Sequence, residues 1–540
     1  MTKAFRIDLG AALAILTFGA VLRTIQYAAQ GSMWLDELAI AVNVAGRDLG
    51  GLLFRPLDEG QVAPPGFLAL EKLGGVLLGH DEYGLRLFPW LWSLAALPLF
   101  WRVSSRFVSG PEIAAGLLAF AASPALVWYA GNAKQYSGDV AVTLLLLFFS
   151  LRLAEGRMGQ REAALAGVGG GLAILAAQPA VLVAFGLCVV LGWGRLRARE
   201  SLGPVLALGA GWAAGAALVT AAGILIVAPA TLAQMQRAWT NDFFPLFPPE
   251  LRTLSWLPLH LYWILGHLLL YIVPKSLPEV GFVLLFCALS LIGGWSLVRR
   301  RSAAGAILAV PLVVAVLASA VHVLPVSKRV SLFVAPTLLV MAMAGASEIR
   351  ALLPARARTG AALALLALFA MPAGAVVLLA PPPYRAEESR PVLDELARRW
   401  RPGDAVYVYG SASLAMRFYG PPVEWIEGSI DRADSRTYFR EIDRIRGRPR
   451  VWLFITHSFP CEPEAIRSYL EAIGTELNRI EDPFGLVGQR AATAYLYDLS
   501  DPDRLALADA ETHPYVSATR LSRVSVEGCG YGREPGQLPF

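Results

Sequence analysis

Charge is scarce in this 540-residue chain: charged residues make up 16%, against about 25% in soluble globular domains. Cysteine is scarcer, four in all, and histidine stands at six. So few thiols exclude a disulfide scaffold. The low charge excludes a soluble nucleic-acid binder, and an apolar content of 56% excludes disorder. A soluble chain of this length would hold three or four domains of about 100–200 residues. The composition points instead to a membrane protein.

The scarcity is uneven, with a break near Pro381. From Tyr384 to Phe540 there are 20 Lys+Arg and 24 Asp+Glu in 157 residues, whereas the preceding 383 residues hold 27 and 18. The chain thus divides at 1–383 and 384–540 into a membrane part and a water-soluble part. The net charge of +5 sums a basic membrane part and an acidic tail, and is not a nucleic-acid footprint.

A helix crosses the hydrocarbon core with about 20 mostly apolar residues. Eleven spans are predicted, at 8–26, 84–101, 112–131, 137–152, 162–178, 180–194, 203–229, 279–298, 304–323, 329–347 and 359–380. The apolar stretch 257–273 carries His260, His267 and several aromatic residues and is expected to lie at the outer interface. In this register Lys3, Arg6, Arg102, Arg106, Arg152, Arg195, Arg197, Arg299, Arg300, Arg350 and others gather on one side, which identifies the cytoplasm. An odd span count then places the C-terminal domain outside a multi-pass cell inner (plasma) membrane protein. The first span reads as an uncleaved helix, not a signal peptide, because of its length and the ten spans that follow. The cytoplasmic loops are short and carry no Gly-rich phosphate loop, so chemistry is expected on the outer face, without ATP or a nucleotide sugar as direct donor.

Four outer sites carry chemistry-bearing residues. Trp34-Leu35-Asp36-Glu37 puts an acidic pair just past the first membrane exit. Such a pair serves as a base or cation ligand, or as a helix start favoured by the dipole. Gln61-Val62-Ala63-Pro64-Pro65-Gly66-Phe67 forms a rigid entry into an apolar helix, followed by Gly84 to Pro89 with Arg86 at the outer mouth of the second span. Arg at such a boundary binds an anion or snorkels to headgroups. Asn132-Ala133-Lys134-Gln135-Tyr136, with Asp139 one turn on, offers a phosphate ligand or interfacial anchors. His322 to Arg329 places Lys328 and Arg329 side by side on the face that otherwise lacks basic excess, which calls for an anion such as a lipid phosphate. The loop with Trp239, Phe243, Phe244, Pro245, Phe247, Pro248, Pro249 and Trp256 is a flap or an aromatic belt.

In this order on one face, these motifs resemble the GT-C glycosyltransferases, in particular the bacterial branch similar to protein O-mannosyltransferases and lipid A aminoarabinose transferases. The resemblance covers residues 8–347. It implies a polytopic α-helical membrane protein of the GT-C fold followed by a soluble α/β domain. It further implies an inverting transferase that moves a sugar from a polyprenyl-phosphate-linked donor to a lipid, glycan or protein acceptor outside the membrane, with Asp36 as general base and Glu37 in support. Lys134, Lys328, Arg329 and Arg86 would bind the donor phosphate, and Trp34, Gln61, Tyr136, Asp139 and His322 would line the substrate site. No cofactor or metal ligand is assigned, a divalent metal being left open. Two positions depart from the family's pattern. Ala63 stands where His is common, and Lys134 stands where Arg is common, keeping the charge but not bidentate binding.

A flippase for lipid-linked saccharides or a non-catalytic membrane receptor are the alternatives. A flippase needs a polar path through the spans, and these carry few charges beyond their ends and no inverted repeat. In the tail, 387–400 reads as an amphipathic helix and 405–409, 451–455 and 494–499 as strands of a small α/β domain with a parallel sheet. That domain is expected to bind an acceptor or partner, or to serve as a lid or a stabilising element. Gly410-Ser411-Ala412-Ser413 has part of a nucleotide-turn pattern. Cys188 and Cys287 lie in spans as apolar filler, and Cys461 and Cys529 share the outer compartment, where a disulfide is allowed.

Overall fold

A computed structural model of the chain describes residues 9–246, 251–271, 276–300, 302–378, 381–430, 436–459, 462–484, 491–511 and 513. Cys461, Cys529, Phe247, Pro248 and Pro249 lie outside them. The chain forms two compact units: Met1–Gln30 with Asn43–Tyr384, and Gly31–Val42 with Arg385–Phe540.

The first unit is a helical, polytopic membrane bundle. Nine helices among the described residues are long and apolar enough to cross a membrane, and the pair Pro111–Ala121 and Pro124–Ala130, bent by 46°, makes a tenth. Three expected spans take a different form. The 112–131 stretch is that bent pair, broken at Ala122-Ser123, where Pro124 cannot continue the helix. The 84–101 stretch lies in helix Glu82–Ser104, which holds Arg86, Arg102 and two prolines and falls outside the nine. The 162–178 stretch shortens to helix Gln160–Ile174. Conversely, the helix expected at the interface, Leu251–Leu270, has the length and hydropathy of a span. It buries Ile264, Leu265, Leu268 and Leu269 within the bundle.

Close helix packing rests on glycine. Gly167 and Gly171 on helix Gln160–Ile174 meet Gly211 and Gly215 on helix Gly203–Leu225. A Cβ at Gly171 would come 2.2 Å from the Gly211 carbonyl oxygen, so both helices use the small-residue spacing that lets backbones touch in lipid.

Arg23 explains how the broken span is tolerated. The residue is 1% exposed, in the C-terminal half of helix Leu9–Ala28. It donates to the carbonyls of Gly19 (3.0 Å), Ala121 (2.6 Å) and Phe120 (3.2 Å). The last two are C-terminal carbonyls that the break orphans and that lipid cannot satisfy. On the other side of the break Ser123 accepts from the Leu126 amide at 3.3 Å and donates to the Leu268 carbonyl at 2.5 Å. Arg23→Ala is expected to destabilise the bundle by roughly 3 kcal/mol or more, since each bond from a charged donor contributes about 1.5–3 kcal/mol. A thermal melt of the detergent-solubilised protein checks this; an unchanged midpoint contradicts the capping role.

The second unit carries a five-stranded sheet among its described residues, in the order β2-β1-β3-β5-β4. The strands are β1 Ala405–Val408, β2 Ile426–Glu427, β3 Val451–Ile455, β4 Thr475–Glu481 and β5 Thr493–Asp498. β1 pairs parallel with β2 and with β3, whereas β3–β5 and β4–β5 are antiparallel. The sheet is therefore mixed, not parallel as expected. Helices separate each of the first four strands, including Glu462–Ile473 between β3 and β4; only β4 and β5 follow each other without one, and they pair antiparallel. Edge strand β4 is mostly exposed and charged, as edges that avoid unwanted pairing tend to be. Fully buried β3 forms the centre. Helix Ser389–Arg399 covers the sheet with Val392, Leu393 and Leu396.

Candidate active site

The acidic pair of the first loop belongs to the second unit. Trp34 precedes helix Leu35–Gly46, putting Asp36 and Glu37 in its first turn. Glu37 is buried, and its Oε2 accepts from the Trp34 amide at 3.4 Å, half of a capping box. Asp36 is half-buried. The backbone leading into this helix is held by side chains more than 350 residues further along. The Ser32 amide and hydroxyl donate to Glu388 Oε2 at 3.2 and 3.0 Å, and the Met33 amide to the Tyr419 hydroxyl at 2.8 Å. The Leu35 amide donates to Glu387 Oε2 at 2.8 Å. Both carboxylates are buried.

The Lys134 site lies in the first unit. Asn132 locks the turn between helices Pro124–Ala130 and Tyr136–Ala154 by donating its side-chain amide to the carbonyls of Trp128 and Gly131, at 3.3 and 3.1 Å. Gly131 is required there, because a Cβ would come 2.9 Å from Gln26 Cγ. The turn buries Lys134, whose Nζ donates to Gln61 Oε1 at 2.8 Å. Gln61 in turn lines an open groove, with Leu52, Pro64, Gln178, Val219 and Ile226 among its mostly apolar walls. A buried ammonium thus stands beside an apolar groove.

Tyr136 and Tyr129 pack edge to face at 5.1 Å, and Tyr129 lies 5.9 Å from the ring of His267. His267 is buried and within electrostatic reach of Lys328 and Arg329. Lys328 Nζ lies over Trp263 at 5.4 Å and the Arg329 guanidinium over Trp239 at 5.8 Å. The segment around Asp242 is fastened to the same turn. The Val326 amide donates to the Asp242 carbonyl at 2.9 Å, the Phe244 amide to Ser319 Oγ at 2.8 Å, and the Phe243 ring lies 4.8 Å from His322. Burial pushes the Asp242 carboxyl up, while a hydrogen bond from Ser327 and the charge of Lys328 pull it back. His322 itself is exposed, with φ +57° just past helix Ala303–Ala320. The loop, in its described part, is thus fastened to the turn that carries the paired cations. His267 and Trp263 were not singled out as site residues from sequence; the usable signal was a histidine inside an apolar run.

Arg86 does not snorkel. It is 4% exposed on helix Glu82–Ser104, one turn after buried Glu82, and Glu71 on helix Pro65–Leu78 is buried as well. Asp139 is buried in the first turn of Tyr136–Ala154, its Oδ1 without a hydrogen-bond partner among the described residues. No three His, Cys, Asp or Glu side chains gather as a metal-binding set among the described residues. Gly410 has a packing role: a Cβ there would lie 2.7 Å from the carbonyl oxygens of Gly428 and Ser429, so the turn after β1 is glycine to admit the chain leaving β2.

No family model matches the sequence. Nor does any curated protein. Solved structures do match in fold. ArnT from Cupriavidus metallidurans, bound to undecaprenyl phosphate, is similar over 90% of this chain and 98% of its own, at 15% identity and a TM-score of 0.50. The arabinofuranosyltransferase AftD from Mycobacteria is similar over 93% of this chain, at 19% identity and a TM-score of 0.50; the chain spans 41% of AftD's length. A polytopic helical membrane part followed by a small sheet domain is the GT-C fold that these two structures share.

Proposed function

We propose that the protein is an inverting membrane glycosyltransferase that takes a sugar from a polyprenyl-phosphate-linked donor and passes it to an acceptor hydroxyl on the extracytoplasmic face. The acceptor oxygen attacks the anomeric carbon as the carbon–oxygen bond to phosphate breaks. Asp36 takes the acceptor proton. The electron pair leaves with the polyprenyl phosphate, whose growing charge Lys134, Lys328 and Arg329 stabilise from fixed positions. Glu37 supports the reaction by capping the helix that carries Asp36.

The observation that carries this reading is buried Lys134, tied through Gln61 to the rim of a largely apolar groove. A cation beside apolar walls suits an amphiphile with an anionic head. The fold shared with ArnT, whose solved structure holds undecaprenyl phosphate, supports the same donor class. Incubating purified protein with polyprenyl-phosphate sugars and following the freed carrier lipid tests the proposal.

The second unit supports a sidedness for this reading. Gly31–Val42 folds with Arg385–Phe540, so the first loop and the tail share one side whichever helices cross. Lys3 and Arg6 before the first span favour the cytoplasm for the N-terminus, which puts that shared side outside. A periplasmic-type phosphatase fused after Phe540 is therefore expected to be active and a cytosolic reporter dark; the reverse pattern contradicts the topology.

A further inference from the structure

In the second unit β1 lies between β2 and β3, and the chain passes from β1 to β2 on one side and from β2 to β3 on the other. The crevice at the carboxyl ends of such strands is where open α/β sheets take their ligands. Thr456 and His457 directly follow β3 at that edge, and both face Glu387: Thr456 Oγ1 donates to Glu387 Oε1 at 3.1 Å, and His457 Nδ1 lies 3.3 Å from the same oxygen. The other oxygen of Glu387 receives the Leu35 amide. The neighbouring carboxylate, Glu388, takes Ser32, is itself paired with Arg385 at 2.6 Å, and Ser32 Oγ accepts from the Arg390 amide at 3.1 Å.

We infer that Glu387 is a positioning residue for transfer: fixed by the Thr456 hydroxyl, with the His457 ring beside it, at the crevice of the soluble sheet, it holds the Leu35 amide and so sets where Asp36 stands. The inference rests on the proposed function. Leu35 is the first residue of its helix and Asp36 the second, so an anchor on the Leu35 amide fixes both the helix start and the direction of the next side chain. Tyr419 on Met33 and Glu388 on Ser32 extend the anchor backwards, giving three donor residues of the incoming segment a fixed acceptor. A carboxylate base must reach the acceptor hydroxyl at hydrogen-bond distance, and displacement by about 1 Å costs on the order of 10²-fold in rate. The soluble domain thereby contributes to chemistry without touching the substrate.

The test uses the full-length purified protein and a polyprenyl-phosphate sugar. Wild-type transfer and its loss in Asp36→Asn come first, because failure there strikes the proposed function and not this inference. In an active, Asp36-dependent enzyme, Glu387→Ala is expected to lower kcat by about 10- to 100-fold. The KM for donor should stay within about threefold and the melting midpoint near wild type. Glu387→Gln, which still offers an acceptor to the Leu35 amide, is expected to restore most of kcat. Wild-type kcat in Glu387→Ala, or a Gln variant as impaired as Ala, overturns the inference. Should Glu387→Ala fail to fold, Tyr419→Phe decides: kcat lowered about threefold or more at unchanged donor KM supports it, and unchanged kcat overturns it.

Discussion

Asp36→Asn is expected to lower transfer from a polyprenyl-phosphate-linked sugar by about 10²–10⁴-fold, the contribution of a positioned general base. Asparagine matches aspartate in shape, so expression and the melting midpoint should stay near wild type. The neighbouring acid provides the control. Glu37 is buried and accepts the Trp34 amide, a role that glutamine fulfils almost as well. Glu37→Gln should therefore cost under about tenfold, as the loss of a charged cap typically amounts to roughly 1 kcal/mol. Equal losses in the two variants would mean that the pair acts as one anionic ligand; loss in Glu37→Gln alone would exchange the roles.

Lys134→Met is expected to reduce turnover by about 10²–10³-fold, comparable to removing one fixed donor from a developing oxyanion. Methionine fills the buried volume without the charge. Lys134→Arg should retain most activity, since the guanidinium keeps the charge and adds bidentate geometry toward phosphate. Because Gln61 holds the ammonium at 2.8 Å, Gln61→Ala should show a weaker version of the same defect. Steady-state transfer and donor affinity, measured for all three, check the series. Wild-type turnover in Lys134→Met contradicts the phosphate role, and a defect that arginine cannot repair points to packing instead of charge.

Much of the fold was legible because it is written in local composition. The rise in charge after Pro381, the apolar spans and the buried β1, β3 and β5 follow from hydropathy and β-branched runs. What escaped depends on contacts made elsewhere. β2 is two residues long and β4 is polar because it is an edge, so neither has an apolar signature. Helix Leu251–Leu270 combines the length and hydropathy of a span with His260, His267 and several aromatic rings, so composition alone does not separate a span from an interfacial helix; its burial against the bundle comes from the fold. Arg23 looks out of place in an apolar helix until the break near Ala121 supplies carbonyls for it.

The site divides in the same way. Lys134, Lys328 and Arg329 stand out in sequence as cations in unusual places, yet Gln61 as the partner of Lys134 becomes visible only in three dimensions. The grouping of Gly31–Val42 with the tail has no sequence signature, because it is made by backbone amides meeting Glu387 and Glu388 more than 350 residues away. Backbone donors are present in every residue and leave no pattern to read.

The most direct test is release of carrier lipid from a polyprenyl-phosphate-linked sugar by the purified protein in detergent or vesicles, with an acceptor extract from the cell envelope. Carrier phosphate appearing with the wild type and absent with Asp36→Asn is the predicted result. Lipid-linked sugar that crosses the bilayer intact with no carrier freed, equally in both proteins, would contradict a transferase and leave a transporter in its place.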